Sequence, residues 1–126
     1  MLAVASLEAN QDSNVLYIDG ENAFSAVRIK ELLEYSIETR RSESVMSAGI
    51  AKTISRIVVK DIRSSVDFTT FLSTLDKVIL EMKVKLLVVD SIAALVRHEF
   101  DASSIFKRQN LLNNWASLLK ETAEKW

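Results

Sequence analysis

The sequence predicts an α/β fold with a mainly parallel sheet and flanking helices, on three observations. Three short aliphatic runs, Val15-Leu16-Tyr17-Ile18, Ile57-Val58-Val59 and Leu86-Leu87-Val88-Val89, lack the polar alternation of a half-solvated strand, so they read as strands covered on both faces. Each run is followed by apolar residues at helical spacing, and strands alternating with helices pair in parallel through crossovers. The 126 residues are the length of one domain, and 48% hydrophobic against 26% charged residues is enough to build a core and too apolar for a disordered chain.

The elements follow in order. Residues 1–9 read as the tail of a helix without a start signal, and the polar turn Asn10-Gln11-Asp12-Ser13-Asn14 leads into the first strand, which ends on Asp19-Gly20-Glu21. Ser25 is the N-cap candidate of a helix over residues 25–38, with Val27, Ile29, Leu32, Leu33 and Ile37 apolar. Residues 39–47 are polar and read as loop. After the second strand, Ser65 and Asp67 open a helix on which Phe68, Phe71, Leu72, Leu75, Val78, Ile79 and Met82 keep helical spacing, with Asp67 at the positive helix end. The third strand ends on Asp90-Ser91. A last helix spans about residues 105–126, and Trp115 and Trp126 lie on its apolar face as core residues.

Composition narrows the function. Sixteen basic and seventeen acidic residues give a net charge of −1, which excludes a uniformly basic chain but not a local basic patch. The absence of cysteine removes disulfide frameworks, zinc knuckles and cysteine nucleophiles. No apolar run approaches the ~18 residues of a membrane span, and the N-terminus lacks the basic region of a signal peptide. There is no proline and there are two glycines, where average usage gives about nine Gly and six Pro. That shortage reads as part of a domain missing.

Ligands of open parallel sheets bind at the carboxyl ends of the strands. Asp19 and Glu21 follow the first strand and Asp90 the third. Aliphatics followed by Asp-Ser are the pattern of the Mg²⁺-organising strand of P-loop NTPases. An aspartate can also end a strand for structural reasons alone, but two such ends in one small sheet favour function. His98 is the single histidine and reads as a loop residue.

Two stretches, Tyr17-Ile18-Asp19-Gly20-Glu21-Asn22-Ala23-Phe24 with Arg28, and Leu87-Val88-Val89-Asp90-Ser91-Ile92-Ala93-Ala94-Leu95-Val96-Arg97, resemble the core of the RecA-like recombinase ATPases. Ala23-Phe24-Ser25-Ala26 and Val96-Arg97-His98-Glu99-Phe100-Asp101 are closest to the B-type paralogues of the eukaryotic strand-exchange recombinase. The stretch from Phe106-Lys107-Arg108-Gln109-Asn110 onward is similar to the helix after the family's first DNA loop. The likeness covers nearly the whole chain and is weakest over residues 35–55.

The resemblance implies a partial RecA-like P-loop NTPase core. Residues 1–126 would be a single domain truncated at both ends, lacking the phosphate-loop strand and later strands, with the Asp90 strand left as an edge. It implies that Glu21 is the catalytic glutamate that polarises the attacking water, that Asp90 holds Mg²⁺ through water, and that Arg28 stacks on the adenine. Residues 98–104 would be the first DNA-binding loop, flanked by Arg97, Lys107 and Arg108. Against these stand plainer readings: Glu21 as a helix-start carboxylate, Arg28 as a surface helix residue, and the three basic residues as a solvated face. Glu99 and Asp101 lie in that loop and repel phosphate. The intact protein is expected to use ATP and Mg²⁺, to bind single-stranded or branched DNA, to assemble with other recombinase paralogues, and to serve homologous recombination in the nucleus. The alternatives are a nucleotide-independent module docking on a partner paralogue and a RecA-fold ATPase not acting on DNA.

Two departures matter. The phosphate loop G-x-x-x-x-G-K-[ST] is absent from the 126 residues. Gly49-Ile50-Ala51-Lys52-Thr53 imitates its end, but no second glycine precedes it at the required spacing and no strand feeds it. Gly20 stands where threonine is common in the family.

Overall fold

The computed structural model describes residues 12–39, 47–97 and 99–126. The helix expected over residues 1–9, residues 40–46 of the expected loop, and His98 lie outside the described residues. Three strands, β1 (Asn14–Asp19), β2 (Ile57–Asp61) and β3 (Val84–Asp90), form a parallel sheet in the order β2-β1-β3. Parallel neighbours need crossovers. Helices α1 (Ala26–Thr39) and α2 (Ser47–Ile54) lie between β1 and β2, and α3 (Ser65–Ser73) and α4 (Leu75–Met82) between β2 and β3. After β3 come α5 (Ile92–Val96), a 3₁₀ turn (Ala102–Ser104) and the long α6 (Ile105–Lys125).

The central strand sets the core. Val15, Leu16 and Ile18 are at most 1% exposed. Alternation sends Leu16 and Ile18 to the face where Phe68, Phe71, Leu75, Leu95 and Trp115 pack. Val15 points the other way, among Ile57, Leu86 and Val88. The expectation of strands covered on both faces therefore holds for β1 only. The flanking strands are partly exposed, Val59 to 40%, because each lacks a neighbour on one side. Trp115 is fully buried and sets its ring edge-on to Phe68 at 4.8 Å. Its indole N–H donates to Thr69 Oγ1 at 2.9 Å, which removes the cost of burying that donor. Trp126, expected in the core, is 44% exposed and donates instead to Asp76 Oδ1.

The single helix expected from Ser65 to Met82 is two helices. Thr74 separates them: its N–H and its Oγ1 both donate to the Phe71 carbonyl, at 3.0 and 2.9 Å. A threonine hydroxyl competes for backbone acceptors in this way, while the hydrophobic spacing runs on across the one-residue break. Helix α4 then ends on Lys83 in the left-handed conformation. Ser25 caps α1 as expected, accepting from the Arg28 N–H at 3.2 Å, yet Val27 is 68% exposed and Leu33 is the buried anchor. Ser64, one residue earlier than expected, caps α3 by accepting from the Asp67 N–H. The Ser65 N–H and hydroxyl both donate to the Glu99 carboxylate, which thereby sits at the positive end of α3.

The two edges of the sheet differ. β2 carries Lys60 and Asp61 at its end, whereas β3 runs Leu86-Leu87-Val88-Val89 with Lys85 as its one charge before Asp90. Among the described strands nothing pairs with β3 on its outer side. Natural edges are blunted by charges, prolines or bulges, and residues 86–89 have none of these. The chain on its own is expected to self-associate through β3 or to require a partner strand. Size-exclusion chromatography with amide exchange checks this: a clean monomer whose β3 amides facing away from β1 are nevertheless strongly protected would contradict it.

Candidate functional site

The strand register brings the acids together. Asp19 pairs with Asp61 on one side and Asp90 on the other, so three carboxylates line the carboxyl end of the sheet. Asp19 is only 6% exposed. Its Oδ1 accepts from the Glu21 and Ala23 N–H groups at 3.1 Å each, and its Oδ2 from the Phe24 N–H at 3.0 Å. Burial pushes this carboxyl up, but the backbone donors of Phe24, Ala23, Glu21 and Asn22 together outweigh it and hold Asp19 below the ordinary carboxylate value. The turn it organises contains Asn22 at φ 56°, a conformation asparagine tolerates better than most residues.

The turn ties β1 to β3. The Gly20 N–H donates to the Asp90 carbonyl at 2.8 Å, and the Asp90-Ser91 peptide is cis. A Cβ on Gly20 would lie 3.4 Å from the Ser91 carbonyl oxygen and 3.5 Å from that of Asp90, which is ordinary contact. The family's larger residue therefore fits here without rearrangement.

Glu21 Oε1 accepts from Ser91 Oγ at 2.8 Å and pairs with an Arg97 guanidinium nitrogen at 3.4 Å. Asp90 is half-buried, and its Oδ2 accepts from the Tyr17 hydroxyl at 2.6 Å. Burial, the bond to Asp90, and the charges of Asp90, Asp19 and Glu21 push the Tyr17 phenol up to about 12, so it stays a donor throughout the physiological range. Phe24 packs edge-on against the Tyr17 ring at 5.0 Å. Among the described residues no group of three or more His, Cys, Asp or Glu side chains forms a metal cage. Magnesium does not need one: it keeps its waters and is held by one or two carboxylates together with substrate phosphates. Asp90, with one oxygen fixed by Tyr17, and Glu21 beside it are a donor set of that kind.

The remaining expected residues stand apart from this cluster. Arg28 lies on the exposed side of α1, paired with Glu31 at 3.0 Å. Lys107 and Arg108 are exposed in the first turns of α6, and among the described residues no carboxylate is within ion-pair distance of either. The two acids of the preceding stretch are already engaged. Glu99 serves the start of α3, and the Ser103 and Ser104 side chains, then their backbone N–H groups, hold the Asp101 carboxyl below its ordinary value. Residues 49–53 lie inside α2, where Thr53 Oγ1 donates to the Gly49 carbonyl, so their backbone is helical and offers no phosphate loop. Sequence reasoning gave no role to Tyr17, Ser91 or Asp19. The signal present was Asp-Gly-Glu-Asn, a composition suited to an Asx turn.

A family model for Rad51 matches residues 3–126. The chain belongs to the Rad51 family. It is similar to the DNA repair protein RAD51 homolog 2 of Homo sapiens, 30% identical over 134 aligned positions that cover all of this chain and 34% of the human protein. The mouse protein of that name is 35% identical over 86% of this chain and 31% of its own length, and the Arabidopsis thaliana one 34% identical over 90% and 29%. The chain thus spans about a third of the length of the curated relatives it matches. A three-stranded parallel sheet with flanking helices agrees with a partial RecA-like core, as this family membership requires.

Two stability outcomes follow. Asp19→Asn turns an amide toward backbone donors and is expected to cost about 1–3 kcal/mol. Because the native Asp19 value lies below the unfolded 3.8, its contribution is complete above that value and is lost as pH falls through the lower native one. Urea midpoints on either side of that pH should fall for the wild-type chain and lose this component in the variant. Gly20→Ala is expected to stabilise by about 0.4–1 kcal/mol, since the added methyl meets no clash and restricts the unfolded chain. A lowered urea midpoint would contradict that.

Proposed function

We propose that the chain is part of a DNA-repair recombinase paralogue whose intact form binds ATP with Mg²⁺, acts on single-stranded or branched DNA in homologous recombination, and works in the nucleus with other paralogues. The observation that carries this reading is the meeting of Glu21 and Asp90 across neighbouring strand ends, linked through Ser91. When bound, Mg-ATP supplies the transferable phosphoryl group. Asp90, oriented by Tyr17, accepts from the metal's water with its remaining oxygen. Glu21 accepts from a water at the strand ends and orients it, the role of a positioned general base. Arg28 contacts the adenine, and Arg97, Lys107 and Arg108 neutralise DNA phosphates. The residues that cradle the phosphates are not among the 126.

A second reading, a nucleotide-independent module docking on a partner paralogue, is favoured by the open β3 edge and the groove of about 410 Å³ beside it, between β3, α4 and α6. Calorimetry and kinetics separate the two. The chain by itself should show no micromolar binding of Mg-ATP, since backbone donors and a lysine around the phosphates are missing. In a protein that contains the cradle, Glu21→Gln should leave ATP binding unchanged and slow turnover by about 10²-fold or more, while Asp90→Ala should weaken Mg²⁺-dependent binding. Unimpaired turnover in both variants would remove these acids from the active site and leave the docking reading.

A further inference from the structure

Of the three basic residues assigned to DNA, Arg97 alone has an internal competitor. Its guanidinium lies 3.4 Å from Glu21 Oε1, the oxygen that also accepts from Ser91 Oγ at 2.8 Å. Ser91 and Arg97 flank the five-residue helix α5 at its two ends. Ser91 Oγ accepts from the Ala94 N–H at its start, and Arg97 follows Val96 at its close. Leu95 and Val96 are 1% and 3% exposed, so α5 is pinned in the core and holds Arg97 within reach of Glu21. The Arg97 and Glu21 side chains remain 58% and 38% exposed. An ion pair so exposed and so long is worth a factor of about five or less, whereas the shorter Ser91 bond stays in place when Arg97 leaves.

We propose that Arg97 is a two-position switch, paired with Glu21 when no strand is bound and drawn onto a backbone phosphate when DNA occupies the stretch between α5 and α6. The inference rests on the reading of Glu21 and of the basic stretch given above. The guanidinium fork matches phosphate oxygens better than a single carboxylate oxygen at 3.4 Å. Lys107 and Arg108, without carboxylate partners among the described residues, bring the strand to Arg97. In moving, Arg97 withdraws its charge from Glu21, leaving that carboxylate held by Ser91 alone and free to take a water. Arg97 is thus a positioning residue that links an occupied DNA loop to the state of Glu21.

Linkage makes the idea measurable. If Glu21 and a phosphate compete for Arg97, removing the Glu21 charge must tighten DNA by the factor with which DNA releases Glu21. Fluorescence anisotropy with a labelled oligothymidylate, over a salt series, is run on the wild-type chain, Glu21→Gln, Arg97→Ala and the double variant. Both side chains are exposed, so the variants should fold. Glu21→Gln is expected to bind about two- to fivefold more tightly, with a salt slope steeper by about 0.7, one added phosphate contact on a single strand. The double variant should match Arg97→Ala, and Arg97→Lys, which keeps the charge without the fork, should retain part of the gain from Glu21→Gln. A gain of equal size with and without Arg97, or no gain, overturns the switch while leaving DNA binding intact. No oligothymidylate binding by any of the proteins overturns the DNA reading itself. If ATP in place of the oligonucleotide shows the Arg97-dependent gain, the phosphate is the nucleotide's and the DNA source is overturned.

Discussion

Asp19 is buried to within 6% of full enclosure, and it remains charged because three backbone N–H groups of the following turn close on its two oxygens. Burying a carboxylate is costly unless such donors surround it, so strand end and turn can form only together. The consequence runs through the site. The turn directs Glu21 toward Ser91, brings the Gly20 N–H onto the Asp90 carbonyl, and sets Phe24 against Tyr17, which in turn orients Asp90. The two acids given catalytic roles contact no common partner side chain. Their relative placement depends on a residue with no chemical role of its own.

What could be read from the chain is what local pattern encodes. Three aliphatic runs identified the strands because a central strand must be apolar on both faces, and Glu21 and Asp90 were visible because acids directly follow two of those runs. The break at Thr74 was hidden, since hydrophobic spacing is insensitive to a one-residue change of hydrogen-bond partner. Helix α5 was hidden because five residues are too few for a period to show. Helix α2 fell in a stretch whose Gly and Lys were compared with a phosphate loop, and the comparison failed for the same reason the helix forms: no strand precedes it closely enough to make a cradle.

The contacts that join distant parts of the chain were out of reach of the sequence. Tyr17 to Asp90 and Ser91 to Glu21 span 73 and 70 residues, and register across the sheet creates them. The Glu99 contact with Ser65 is of the same kind. In the sequence Glu99 counts against DNA binding by residues 98–104, whereas in the fold its charge is spent on the N-terminus of α3. A net charge of −1 for the whole chain conceals this, because acids engaged by helix ends and turns no longer oppose the exposed Lys107 and Arg108.

The carboxyl end of the sheet gathers Asp19, Asp61, Asp90 and Glu21, a concentration of negative charge that would repel itself without compensation. Each acid is compensated differently. Asp19 is met by backbone donors that cannot leave without unfolding the turn. Asp61 is met by Arg63, two bonds of 2.8 and 2.9 Å between residues close in sequence, on an exposed edge. Asp90 is met on one oxygen by a neutral hydroxyl, and Glu21 by a hydroxyl and a loosely held, exposed guanidinium. Only the last two retain capacity for a new partner. An acid saturated by fixed donors stabilises a fold but has no oxygen left to accept a metal's water or orient a nucleophile. The gradation from Asp19 to Glu21 therefore separates carboxylates that build the sheet end from those able to act there, and the physical distinction falls on the two residues to which the recombinase likeness gives chemistry.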